Sequence, residues 1–207
     1  MIQRYKLSNG ESLCFGATMG QKHLAPLVEE LRKEPNESRV VLLDYAGIEA
    51  VNASYVKATA LWLLRCGVAH ADIEDGRVRS APAGLEAFNV FPVGLNPSAE
   101  VREEFDALLR SERLPFLIAE ASDGDRIVKA VQMGHLEAAL EETLTALARE
   151  RRATASELCE RHPRKPPIKP SAWSNRLSEM HRLRVVRRER EGRQWFYVSL
   201  ADEVQHG

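Results

Sequence analysis

The spacing of apolar residues predicts alternating strands and helices over the first 125 residues. Residues 40–44 are four consecutive apolar residues followed by Asp44, and such an apolar run is typical of a strand buried on both faces. A polar segment at residues 52–54 can cap a helix that reaches about Arg65. The other elements expected here are short strands at 2–7 and 11–16, helices at 21–33 and 100–111, and a strand at 114–121. We therefore predict a mixed-sheet α/β domain over residues 1–125.

Leucines at helical spacing predict a helix that joins this domain to the rest of the chain. Leu136, Leu140, Leu144 and Leu147 recur every three or four residues. We assign residues 126–150 to this connecting helix and expect it to couple the domains rigidly. Residues 151–207 then form a second, smaller α+β domain.

The second domain begins with a helix whose first residues form a recognisable capping motif. Thr154 and Glu157 have the spacing of a capping box, in which each side chain bonds the backbone of the other residue. The helix is expected to end near Arg161, before a segment with four prolines at residues 163–170.

A second helix and a hairpin complete this domain. Ser171 is expected to cap the helix, and Trp173, Leu177, Met180 and Leu183 form its apolar side. Residues 185–190 and 194–200 are rich in β-branched and aromatic residues and flank a turn at residues 191–192, so they predict a β-hairpin.

Charge is distributed unevenly along the chain. The net charge is −1, yet residues 151–207 carry 13 Lys and Arg against 7 Asp and Glu, and residues 1–150 carry 16 against 23. The excess is strongest in residues 161–193, with 11 basic and 3 acidic side chains. A basic segment of this kind is expected of a surface that binds phosphates.

The segment SAWSNRLSEMHRLRVVRREREGRQWFYVSL resembles the recognition helix and wing of the multiple-antibiotic-resistance and arsenical-resistance repressor families. In those families Ser-x-x-Ser-x-x-Leu-x-x-Leu precedes a Val-x-Arg strand and a charged wing. The resemblance covers about residues 135–200 and implies a winged helix-turn-helix that binds double-stranded DNA as a homodimer. The arsenical-resistance metal ligands have no counterpart, because no Cys-x-Cys pair precedes the second helix.

In such a domain the first half of the recognition helix enters the major groove. Asn175 and Arg176 are expected to read base edges, since Asn pairs with adenine and Arg with guanine. The other candidate contacts are expected to hold phosphates or to line the helix surface. The complete set of predicted DNA-binding residues is Lys169, Ser171, Ala172, Ser174, Asn175, Arg176, Arg188, Arg190 and Arg193.

The segment VVLLDYAGIEAVNASYVKATALWLL is similar to STAS domains, in which an apolar strand ends in Asp-x-x-Gly before a serine-rich helix start. Asp44, Gly47 and Ser54 match this signature. Ala53 occupies the position of the serine that is phosphorylated in anti-sigma-factor antagonists. The resemblance implies a partner-binding surface at Asn52, Ser54 and Tyr55, and capping of the helix is the alternative explanation for the polar residues there.

The remaining features favour a non-enzymatic protein of the cytoplasm. The three cysteines and six histidines are dispersed, and no Gly-rich phosphate loop occurs. We expect no catalytic residues, no metal, no cofactor and no membrane span. The leading hypothesis is a DNA-binding transcriptional regulator whose N-terminal STAS-like domain serves dimerisation or binds a protein or signal. The alternatives are a protein-interaction adaptor and a DNA-binding accessory subunit of a defence or nucleic-acid-processing system.

Overall fold

The computed structural model describes residues 2–8, 10–34, 37–68, 73–74, 77–78, 89–123, 126–163 and 167–207. The helices are α1 (Ala17–Leu31), α2 (Ala53–Ala58), α3 (Ala60–Val68), α4 (Ala99–Glu112), α5 (Ala138–Glu150), α6 (Ala155–Arg161) and α7 (Pro170–Arg182). The strands are β1 (Ile2–Lys6), β2 (Leu13–Cys14), β3 (Arg39–Asp44), β4 (Ala50–Val51), β5 (Ile73–Glu74), β6 (Arg77–Val78), β7 (Val90–Leu95), β8 (Pro115–Asp123), β9 (Arg126–Gly134), β10 (Arg152–Ala153), β11 (Val186–Glu191), β12 (Gln194–Ser199) and β13 (Glu203–His206).

A six-stranded, mostly parallel sheet forms the centre of this mixed α/β structure. Its strand order is β1-β3-β7-β8-β9-β13. The first four strands are parallel, β9 runs antiparallel to β8, and β13 is parallel to β9. The apolar run at residues 40–44 lies within β3, an interior strand, as predicted. A smaller antiparallel sheet has the order β10-β12-β11.

The two faces of the central sheet pack against different parts of the chain. Val41 and Leu43 of β3 point into a core shared with α1, α2, α3 and α4. Their neighbours Val40 and Leu42 point to the opposite face, because successive side chains of a strand alternate. That face shares its core with residues 138–199, which we call the C-terminal unit.

The connecting segment differs from its prediction. Residues 126–134 form strand β9, and the helix begins only at Ala138. The reason is pairing with β8, which satisfies the backbone groups of this segment within the sheet. The chain also returns to the central sheet after the C-terminal unit, since β13 pairs with β9 along residues 203–206.

The two helices before the hairpin begin in different ways. The capping box of α6 is present, with the Thr154 hydroxyl accepting from the Glu157 N–H and the Glu157 carboxylate accepting from the Thr154 N–H. The predicted cap of α7 is wrong. Lys169 is the N-cap residue, and Pro170 occupies the first turn, where its missing N–H is not needed, so Ser171 already lies inside the helix.

Gly134 ends β9 at a position that excludes a side chain. Its φ is 78°, and a Cβ there would collide with the Leu114 carbonyl oxygen and the Leu109 side chain. We expect Gly134→Ala to lower the free energy of unfolding by about 3 kcal/mol, from overpacking and left-handed strain together. Gly192→Ala is the matched control, because its φ is 58° but no atom lies within 4 Å of the added carbon. Urea denaturation measures the free energy of unfolding of both variants. If it fell equally in the two, the close packing of Leu109 and Leu114 against Gly134 would be contradicted.

Candidate nucleic-acid interface

The hairpin formed by β11 and β12 carries exposed cations on one face. Its register places Arg188 opposite Tyr197 and Arg190 opposite Trp195, so these four side chains share a face. The guanidinium of Arg188 lies 4.5 Å from the centre of the Trp195 ring, and that of Arg190 lies 5.7 Å from it. Trp195 is 43% exposed. Tyr197 is buried. The exposed part of this face is therefore the Trp195 ring with two arginines beside it.

The acidic residues of the hairpin lie on its other face and are paired. Arg152 of β10 forms ion pairs with Glu191 and, at 3.7 Å, with Glu189. The Arg187 guanidinium lies 3.6 Å from the Glu189 carboxylate. Arg152 also covers the Phe196 ring, with its guanidinium carbon 3.6 Å from the ring centre. The acidic residues of the hairpin are thus neutralised by Arg152 and Arg187, on the face opposite to Arg188 and Arg190.

Helix α7 joins the cationic face of the hairpin. The hydroxyls of Ser178 and Tyr197 are 3.0 Å apart and share a hydrogen bond. On the other side of the helix Trp173, Leu177 and Met180 are buried in the core, as the apolar spacing predicted. The side of α7 that carries Ser178 therefore lies next to the hairpin face that carries Arg188 and Arg190.

The predicted DNA-binding residues differ in exposure. Arg176 and Ala172 are half-buried on α7. The others are exposed on α7, the residue before it, or the hairpin: Lys169, Ser171, Ser174, Asn175, Arg188, Arg190 and Arg193. Arg176 and Asn175 line a cleft that α7 forms with Arg113 and the start of α5.

The electrostatics of this surface are favourable for an anion. Within the described parts of the chain, no acidic side chain pairs with Lys169, Arg188, Arg190 or Arg193. Helix α7 has no acidic residue in its first turn, and the backbone N–H groups at its start add a partial positive charge. The surface can hold phosphate oxygens at several points.

His181 joins α7 to the central sheet and adds no charge to this surface near neutral pH. Its ring centre lies 5.5 Å from that of Phe91 in β7, and its Nδ1 atom is 3.2 Å from the Val186 carbonyl oxygen. Burial lowers the pKa of His181 to about 4, and the nearby charge of Arg188 acts in the same direction. The end of α7 is thus fixed on the sheet by an uncharged ring.

The predicted partner-binding surface is wrong at Tyr55. This side chain is fully buried, and its hydroxyl lies 2.9 Å from the Nδ1 atom of His23. The reason is that α2 packs its inward side against α1. Asn52 caps α2 and also accepts from the Gly16 N–H, each at 3.0 Å, so capping explains this residue. Ser54 alone is exposed, and its role in partner binding stays a prediction.

Asp44, which matched the STAS signature, lies at the end of β3 and is fully hydrogen-bonded. Its carboxylate accepts from the Arg4 guanidinium at 2.7 Å, from the Asn96 amide at 2.9 Å and from the Ala46 N–H at 3.0 Å. Burial acts to raise the pKa of Asp44, but these hydrogen bonds outweigh it and hold the pKa below its usual range. The group fastens the edge strand β1 and the turns after β3 and β7, and sequence reasoning did not predict these partners.

The described residues lack two other kinds of feature. They contain no group of His, Cys, Asp and Glu side chains that could hold a metal ion. None of their helices is both long enough and apolar enough to cross a membrane. Comparisons with models of known protein families, with curated proteins and with solved structures found no match for this chain.

Proposed function

We propose that the protein is a sequence-specific double-stranded DNA-binding transcriptional regulator of the cytoplasm, with residues 138–199 as a winged helix-turn-helix. The observation that carries this proposal is the separation of charge on the hairpin. Its acids are neutralised on one face, whereas Arg188 and Arg190 are left without acidic partners, within the described residues, on the face that adjoins α7. A hairpin that served only to pack against the core would gain no stability from two exposed arginines without acidic partners on one face.

The order of elements supports the same proposal. A helix, a short strand, two helices and two hairpin strands follow one another as α5, β10, α6, α7, β11 and β12. In a winged helix-turn-helix, the third helix of such a set enters the major groove and the hairpin is the wing. Helix α7 is then the recognition helix, with Asn175 and Ser171 on its exposed side.

Side-chain chemistry suggests which residues of the site contact bases and which contact phosphates. Asn175 is the base-reading candidate, because a side-chain amide can bond adenine at two positions. Lys169, Arg188, Arg190 and Arg193 are phosphate contacts, which hold the protein in register without reading sequence. Arg176 remains a second base-reading candidate, but it must leave the cleft to reach a base.

The N-terminal region is proposed to act as a STAS-like domain that dimerises or binds a signal or a protein. Residues 1–150 carry an excess of acidic side chains, 23 against 16 basic ones, and would repel a duplex. A homodimer would place two recognition helices on a palindromic site, as two-fold symmetry requires.

Sequence preference is tested by a gel shift on the duplex upstream of the protein's own gene and on an unrelated duplex of equal length. We expect wild-type protein to bind the first more tightly. Asn175→Ala should remove most of this preference, since one good base contact contributes about 1–3 kcal/mol of discrimination. Arg190→Ala should weaken binding to both duplexes alike. If both variants weaken the two duplexes equally, the proposed division between reading and positioning is wrong.

A further inference from the structure

A cleft of about 480 Å³ lies between α7, the turn after α4 and the start of α5. Its apolar walls are Leu136, Leu140 and Leu183, and its charged groups include Arg113 and Arg176. Small-molecule sites in proteins are commonly 300–1,000 Å³ and combine apolar walls with a few polar groups. The cleft has both the size and the composition of such a site.

The charges in the cleft leave two guanidinium groups available. Arg182 is held by Glu179 through two hydrogen bonds of 2.8 and 2.6 Å, so this carboxylate is engaged. Arg113 and Arg176 have no acidic partner in the described ranges. Glu137 is the other acid of the cleft, and it forms no side-chain cap on α5. With the Glu179 and Arg182 pair set aside, two guanidiniums face one carboxylate, and the cleft is net positive.

Arg176 also has an unmet hydrogen-bonding requirement. Its Nη1 atom is shielded from solvent and has no acceptor among the residues that the structure describes. A buried donor without an acceptor is unfavourable, so an anion in the cleft that accepts hydrogen bonds from this guanidinium would be bound well. Guanidinium groups match carboxylates in particular, because two parallel N–H groups meet two oxygens.

We propose that this cleft binds a small organic acid, with its carboxylate between Arg113 and Arg176 and its apolar part against Leu136, Leu140 and Leu183. The apolar walls favour an organic acid over an inorganic anion, which would gain nothing from them. The site is formed jointly by the N-terminal region and the C-terminal unit. Its occupation does not depend on DNA binding, so the two proposals stand or fall separately.

The test uses the full chain, labelled with ¹⁵N, and sodium benzoate as the probe. Benzoate is expected to shift the Arg176 and Arg113 side-chain N–H signals in a saturable way at millimolar concentration. Benzamide, which has the same shape without the charge, should bind at least about tenfold more weakly, because it loses the charge-assisted hydrogen bonds. Arg176→Gln should weaken benzoate binding by a similar factor, and Arg32→Gln, at the end of the distant helix α1, should leave it unchanged.

A second variant keeps the test decisive. If Arg176→Gln unfolds the chain, as circular dichroism would show, Arg113→Gln is used instead, since Arg113 is exposed at the end of α4. Equal binding of benzamide and benzoate would overturn the proposal, because charge would then play no part. Unsaturable shifts, or full affinity in the folded glutamine variant, would overturn it as well.

Discussion

The double variant Arg188→Gln, Arg190→Gln is expected to bind any DNA duplex at least about tenfold more weakly than the wild type near physiological salt. These two arginines lie on the face that adjoins α7 and have no acidic partner in the described part of the chain. Each is expected to displace one counterion from the duplex. The slope of log K against log salt concentration should therefore become shallower by about 1.8, at 0.9 per phosphate. Fluorescence anisotropy of a labelled duplex measures both quantities.

Arg32→Gln provides the control for a change of net charge alone. Arg32 is exposed and follows α1, on the opposite side of the central sheet from the hairpin. Its loss is expected to leave the affinity and the slope close to the wild-type values. A double variant that also keeps the wild-type slope would show that the arginine face of the hairpin does not contact DNA.

Trp173→Ala is expected to have the largest effect on stability, lowering the free energy of unfolding by about 3–5 kcal/mol. The Trp173 side chain is 1% exposed and lies in the core that the central sheet shares with the C-terminal unit. Removing it leaves a cavity that the surrounding strands and helices cannot close. Urea denaturation followed by circular dichroism measures the loss without depending on tryptophan fluorescence.

Trp195→Ala is the matched variant for this second prediction. Trp195 is 43% exposed and its ring faces the guanidiniums of Arg188 and Arg190, so its removal should cost about 1 kcal/mol or less. If the two tryptophan variants were equally stable, Trp173 would not be the core residue described above.

The C-terminal unit was the most predictable part of the fold, because its signals are local. The capping box at Thr154 and Glu157 and the apolar side of α7 depend on residues three or four apart. The hairpin likewise follows from alternating residues around a turn at Gly192. Such patterns can be read from a single sequence. The start of α7 is harder to predict, because Pro170 is compatible both with the end of a proline-rich loop and with the first turn of a helix.

The parts that failed depend on contacts between distant residues. Tyr55 is polar enough for a surface, and its burial results from packing against α1, more than twenty residues earlier in the chain. Strand β13 is four residues long, and nothing in its sequence indicates that it pairs with β9. For β9 a signal did exist, since Asp123-Gly124 between two segments rich in apolar residues is typical of a hairpin.

The same reasoning applies to the candidate sites. The segregation of charge on the hairpin follows from strand register, so the positions of Arg188 and Arg190 relative to Glu189 were implicit in the alternation of residues. The cleft at Arg176 could not be predicted, because the turn after α4, the start of α5 and helix α7 form it together. The sequence pattern predicts Arg176 at the surface, whereas the structure places it half-buried in the wall of this cleft.

The most direct test of DNA binding is a salt titration of the wild-type chain on a duplex of arbitrary sequence. If Lys169, Arg188, Arg190 and Arg193 each neutralise one phosphate, log K should fall with log salt concentration at a slope of about −3.6 per chain. Binding at low salt with a slope near this value supports a phosphate-contacting surface built from these residues. Absence of binding at low salt, or an affinity that does not change with salt, would contradict the account.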